Sequence, residues 1–120
     1  MKAIIGALVI SYLFMACGSS EVRFDQLDIQ YDGEVATYQQ KGETFTGVAL
    51  EGYPNIVYHH HIVNGLEQKE EAFYPTGEKE REFPMKDGRK EGLCRMWYKS
   101  GQLQLEETYK NGVLHGTAKT

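Results

Sequence analysis

The constraint that bears hardest on this chain is a 24-residue repeat in its C-terminal half. Sliding the sequence by that period lays Phe73-Tyr74-Pro75-Thr76-Gly77 on Trp97-Tyr98-Lys99-Ser100-Gly101, without a gap. Glu82 falls on Glu106, Met85 on Tyr109, Lys86-Asp87-Gly88 on Lys110-Asn111-Gly112, and Gly92 on Gly116. A fainter copy opens at Gly42-Glu43-Thr44-Phe45-Thr46-Gly47 and closes at Asn64-Gly65, one residue out of register, with Gln68 where the later copy has Gly92. The recurrence implies a repeated structural unit, roughly 42–65, 65–88 and 89–116, that buries its apolar face by stacking on its neighbours.

Each unit reads as a β-hairpin. Residues 102–110 alternate, with Leu103, Leu105 and Tyr109 on one side and Gln102, Gln104, Glu106 and Thr108 on the other. Asn111-Gly112, Asp87-Gly88 and Asp32-Gly33 are two-residue hairpin turns, because both residue types tolerate positive φ. The helical alternative draws on good helix formers at 67–71 and 78–82. The stretch from 66 to 74 is too short to hold as an isolated helix, and 78–83 lies in register with the alternating 102–107. Strands are therefore expected throughout, and thirteen glycines and eight tyrosines suit turns and half-buried sheet.

The segment Tyr98-Lys99-Ser100-Gly101-Gln102-Leu103, followed by Tyr109-Lys110-Asn111-Gly112-Val113-Leu114-His115-Gly116, resembles the MORN-type repeat, in the bacterial variant of the YwqK-family antitoxins. The likeness is good over 65–116 and weak over 39–64. It implies an elongated, single-layer or lightly curled antiparallel β-meander. It also implies that Tyr74, Trp97, Tyr98 and Tyr109 pack across neighbouring hairpins, and that Gly92 and Gly116 let those rings approach the backbone. Gly77, Gly88, Gly101, Asn111 and Gly112 complete the repeat's structural set. The family's antitoxin role concerns cytosolic toxins, which an exported chain would not meet, so the resemblance is carried over for fold.

Export is written at the N-terminus. Lys2 supplies a positive start, and residues 3–16 form an apolar run of fourteen interrupted only by Gly6 and Ser11. As a helix this run reaches about 21 Å, short of the ~30 Å hydrocarbon core, which fits a secretory signal rather than a spanning anchor. It ends Leu13-Phe14-Met15-Ala16-Cys17-Gly18-Ser19-Ser20, resembling the lipobox of bacterial lipoproteins. That resemblance implies removal of residues 1–16 and acylation of Cys17. Residues 17–23 then form a short tether, and 24–120 the repeat domain. Cys17 and Cys94 are the two cysteines, so Cys94 is left unpaired; with Leu93, Met96 and Trp97 beside it, it reads as a buried structural thiol.

Chemistry is sparse. His59 and His61 project from one side of a strand and could chelate zinc, with Glu51 or Glu67 as further ligands. The alternative is a solvated strand side, with His60 on the opposite side beside Tyr58 and Ile62, and no metal is expected. Carboxylates at Glu80 and Glu82, and at Glu106 and Glu107, read as a solvated stripe neutralised by Lys79, Arg81 and Lys110. No phosphate loop, nucleophile–His–acid order or Cys–His pair is present in the sequence, so no catalytic residue and no cofactor are expected. A net charge of −4 disfavours nucleic acid.

The expectation is a non-enzymatic, lipid-anchored interaction module of the bacterial cell envelope, on the inner or outer membrane, with an envelope protein as partner. An immunity or antitoxin-like lipoprotein is the alternative of the same class. A small metal-binding envelope protein using His59 and His61 is the alternative of another class. Residues 117–120 are expected to begin a short strand against 102–110, and the chain to be a monomer in isolation.

Overall fold

A computed structural model describes residues 20–116. The signal segment, Cys17 and the strand expected at 117–120 lie outside the described residues. The described chain is all β apart from one 3-10 turn, Phe24–Gln26. In chain order the strands are β1 (Glu21–Arg23), β2 (Asp28–Asp32), β3 (Val35–Gln40), β4 (Glu43–Thr44), β5 (Gly47–Tyr53) and β6 (Ile56–Val63). They continue as β7 (Leu66–Phe73), β8 (Lys79–Lys86), β9 (Arg89–Lys90), β10 (Gly92–Trp97), β11 (Leu103–Lys110) and β12 (Val113–Leu114). Period prevails over propensity: both helix-former runs, in β7 and β8, are strands.

The large sheet runs β1-β5-β6-β7-β8-β10-β11-β12, with β9 paired to the end of β8. From β5 onward every pairing is antiparallel and between chain neighbours, except that β8 pairs with both β9 and β10, which is the expected meander. The radius of gyration, 16.6 Å, exceeds the ~13 Å of a compact chain of 100 residues, and the extents are 55 × 35 × 25 Å. The molecule is elongated.

The 24-residue period is visible in backbone geometry. At Lys41-Gly42, Asn64-Gly65, Asp87-Gly88 and Asn111-Gly112 both residues have positive φ, 51–54° in the first and 81–83° in the glycine. Positive φ at both centres matches the type I′ hairpin turn. Each of the last three glycines donates its N–H to a carbonyl just after the previous turn: Gly65 to Phe45 O (2.8 Å), Gly88 to Glu67 O (3.1 Å) and Gly112 to Lys90 O (2.9 Å). At the other end of the hairpins, Tyr74 N–H to Glu78 O (2.9 Å) recurs as Tyr98 N–H to Gln102 O (2.8 Å). Bulges recur too. Glu80 is the extra residue between the Ala72–Arg81 and Phe73–Lys79 pairs, and Gln104 is the extra residue between the Met96–Leu105 and Trp97–Leu103 pairs.

Four expectations about strand layout are corrected. The turn expected at Asp32-Gly33 is centred on Gly33-Glu34, since Asp32 pairs with Val35; only Gly33 has positive φ there. The bulge at Gln104 reverses the phase of β11, so Leu103 lies opposite Trp97 rather than on the side of Leu105 and Tyr109, and it is 41% exposed. The tether expected up to Arg23 ends earlier, because Glu21, Val22 and Arg23 pair in parallel with Val48, Ala49 and Leu50. The meander is not single-layered at this end: β2, β3 and β4 form a separate sheet. Leu27, Tyr38 and Phe45 from that region pack on Ala49 and Ile62 of the large sheet. This is where the apolar core sits.

The aromatic set divides. The Tyr74 hydroxyl donates to Trp97 O at 2.7 Å, joining consecutive repeats as expected. Lys90 Nζ lies 4.8 Å from the Tyr109 ring centre and 4.7 Å from that of Phe83, bridging β8 and β11. Tyr98 is 51% exposed and does not pack as expected. Among the described residues, no ring crowds Gly92 or Gly116. Gly92 has only a Pro84 carbon at contact distance and Gly116 nothing within 4 Å, so their φ of 107° and 92° is what calls for glycine. Cys94 is buried at 1% exposure, as expected.

Two glycines separate the roles of backbone and space. Gly77 has φ +101° and open surroundings, whereas a Cβ at Gly88 (φ +83°) would come within 2.8 Å of Val35 Cγ1 in the second layer. Gly77→Ala should cost about 1–2 kcal/mol, the left-handed penalty alone. Gly88→Ala should cost more, because Val35 must also move. Urea unfolding of both variants checks this, and equal losses would show that the second layer does not press on the turn.

Candidate functional site

The large sheet has two unlike sides, set by strand register. On the outer side Leu50, His59, Glu71, Glu82, Arg95 and Glu106 form one cross-strand row through β5, β6, β7, β8, β10 and β11. Lys79 Nζ bridges Glu71 (3.0 Å) and Glu82 (3.4 Å), and Arg95 Nε meets Glu106 at 3.0 Å. These carboxylates form a partly solvated ladder, as the sequence suggested for Glu82 and Glu106.

His59 and His61 share this side, with ring centres 6.5 Å apart. His61 Nε2 is 2.8 Å from Glu71 Oε1, and the His59 ring packs on Phe73 at 4.8 Å. Burial and the neighbouring His61 hold the His59 pKa below its ordinary value. Glu71 sits below its ordinary range: burial raises it, but Lys79, His61 and Lys69 together outweigh that. Neither Glu51 nor Glu67, the further ligands considered for the pair, reaches this side. Both are on the inner side, against the third histidine.

His60 is the centre of that inner side, 7% exposed. Its Nδ1 lies 2.7 Å from Glu67 Oε2 and its Nε2 2.9 Å from Glu51 Oε1. Both nitrogens face carboxylates, a setting that favours the protonated ring. Phe24 covers it at 4.5 Å, Tyr58 stacks at 6.2 Å, and Ile62 follows on the same side. The placement beside Tyr58 and Ile62 is as expected.

The carboxylates arrive through strand register and a bulge. Ala49 pairs with His60, which sets Glu51 two residues along β5 on the same side. On β7, Glu70 pairs with His60 while Glu67 pairs with Ile62, leaving Gln68 as the extra residue. Without that residue Glu67 and Glu70, three apart, would point to opposite sides; with it both point inward. Glu70 continues the network to Arg81 (3.4 Å), and Arg81 Nε meets Glu80 at 2.9 Å. Glu80 is itself a bulge residue and only 6% exposed. The Arg81 guanidinium lies 5.2 Å from the Tyr58 ring centre and 5.0 Å from that of Phe83. Among the described residues, no buried side-chain nitrogen or oxygen lacks a hydrogen-bond partner.

The electrostatics follow. Burial pulls the His60 pKa down, but the Glu67 and Glu51 hydrogen bonds overcome it and the net shift is upward. Burial and the Glu67 charge raise the Glu70 carboxyl, against His60 and Arg81. Burial raises Tyr38, with Glu67 adding to it, so that phenol stays protonated. Burial also raises the Cys94 thiol, which makes it a poor nucleophile. Nothing in composition or alternation marks the Gln68 bulge that turns Glu67 and Glu70 to one side, or the β5 register that brings Glu51 to His60.

The raised His60 pKa means that the folded chain holds this proton to higher pH than the unfolded chain. Its stabilisation is fully present below the ordinary value of 6.5 and is lost as pH rises through the folded value. The metal-free protein should therefore melt at lower temperature as pH is raised above 6.5, and His60→Gln should flatten that slope. Thermal scans in chelator across the pH series test this; an unchanged slope in the variant would assign the dependence elsewhere.

No protein-family model, curated protein or solved structure matches this chain.

Proposed function

We propose that this chain is a lipid-anchored, non-enzymatic protein-interaction module of the bacterial cell envelope. The observation that carries the reading is the outer side of the large sheet. It presents one row of polar and charged side chains, His59, Glu71, Glu82, Arg95 and Glu106, across five strands adjacent in the sheet, with Lys79 bridging the two neighbouring carboxylates. Arg95 and Glu82 in that row are 43% and 37% exposed at their side chains. Such a row supplies register and partner discrimination through complementary charge, while nearby aromatic residues supply contact area. The inner polar groups, by contrast, are saturated by one another. His60 is held at both nitrogens and Arg81 by two carboxylates, so these groups offer little to a protein partner. The lipobox-like Cys17 and the repeat's likeness to MORN-type units support the anchor and the interaction role.

Two experiments address the two halves of this reading. Cys17→Ser should leave the chain unprocessed or release it from the detergent phase, whereas the unaltered protein should carry an acylated Cys17 by mass spectrometry. A Ser variant with unchanged mass and membrane partition would remove the anchor. For the interaction half, photo-crosslinking residues at Glu82 and Arg95 in intact cells should trap one defined envelope protein, and one at the exposed Tyr31 of β2 should not. Absence of an adduct from the outer row, or the same adduct from Tyr31, would overturn the assignment of that side as the interface.

A further inference from the structure

The inner cluster also has the donor set and the orientation of a cation site. A ring nitrogen of His60 and one carboxylate oxygen each of Glu67 and Glu70 all lie within 4.8 Å of one another. The ring's other nitrogen is committed: Nε2 is 2.9 Å from Glu51, so it donates to that carboxylate and leaves Nδ1, on the Glu67 side, as the coordinating atom. Metal-bound histidines are held in this way, with the second nitrogen on a carboxylate that fixes ring and tautomer. Glu70 is likewise oriented from behind by Arg81 at 3.4 Å. Two of the three donors, His60 and Glu70, thus come with their own support.

Charge points in the same direction. Four carboxylates, Glu51, Glu67, Glu70 and Glu80, face two cationic side chains, His60 and Arg81, in a largely buried setting. A divalent ion that replaces the His60 proton adds one positive charge where negative charge is in excess. One imidazole with two carboxylates suits a first-row transition ion better than calcium or magnesium, which take oxygen donors. Two ligand atoms about 2.0–2.1 Å from such an ion at a tetrahedral angle lie about 3.3 Å apart. His60 Nδ1 and Glu67 Oε2, now at 2.7 Å, need to separate by about half an ångström. A recess of about 410 Å³ lies beside the cluster, with Glu51 and Phe24, both in contact with His60, among its walls.

We propose that His60, Glu67 and Glu70 form a binding site for a divalent transition ion of the zinc class, distinct from the His59–His61 pair on the outer side. From sequence alone no metal is expected, and the candidate ligands are that pair, His59 and His61.

The test uses the full chain, purified in detergent without a polyhistidine tag and stripped with chelator. Titration with zinc should leave one ion per chain after desalting and raise the melting temperature by several degrees. Glu70→Gln should weaken zinc binding at least tenfold, while His59→Ala with His61→Ala should change it less than twofold. A histidine-selective NMR titration of the unaltered protein gives a readout that does not depend on any variant folding. The ring signals of His60 should move with one equivalent of zinc, and those of His59 and His61 should not. No retained zinc, retention unaffected by Glu70→Gln in a folded variant, or shifts confined to His59 and His61 would each overturn the proposal.

Discussion

The hydrogen bond from each turn glycine to a carbonyl just after the previous turn sets the pitch of this molecule. Gly65, Gly88 and Gly112 can make it because positive φ at both turn residues aims the glycine N–H at the preceding hairpin. The turns are thereby stacked at one end of the sheet, and the strands between them must span the same width each time. That is why a period of 23 or 24 residues is tolerated and little else is. It is also why the Tyr74 and Tyr98 turn contacts at the opposite end recur at equal spacing.

Within that frame the bulges decide the chemistry. An unbroken alternation would make both sides of the sheet ordinary, one apolar and one charged. Gln68 and Glu80 each insert one residue and draw carboxylates inward that the alternation would have sent to water. The cost of burying Glu67, Glu70 and Glu80 is offset by His60 and Arg81, each shared between two carboxylates. Removing either cation would leave buried negative charge uncompensated, so the two cations and the bulges form one interdependent unit.

Much of the fold was legible in the sequence because turn chemistry is local. Asn111-Gly112 and Asp87-Gly88 announce their geometry, and the repeat settles strand against helix where propensity would mislead. Asp32-Gly33 failed by one residue because either Gly33 or Asp32 could open a two-residue loop, and pairing with Val35 chose between them. Leu103 failed because Gln104 bulges, and a glutamine in a strand carries no mark of that role. The His60 cluster was half legible: alternation placed the ring inward, but its partners come from β5 and from across a bulge on β7. The second layer was hidden for another reason. β2 is exposed throughout, so its sequence shows no buried stripe to betray the packing of Tyr38 and Leu27 behind it.

The parallel pairing of β1 with β5 has a kinetic consequence. From β5 onward the sheet is assembled from hairpins closed by short turns, whose ends find each other at small entropic expense. Joining Glu21 to Val48 instead encloses a loop of about 27 residues that contains the whole β2–β4 sheet. The meander can zip along its length from any nucleated hairpin, but the β1 strap has no place to dock until β5 is formed. Docking β1 therefore carries the largest loop-closure cost of any strand pairing among the described residues.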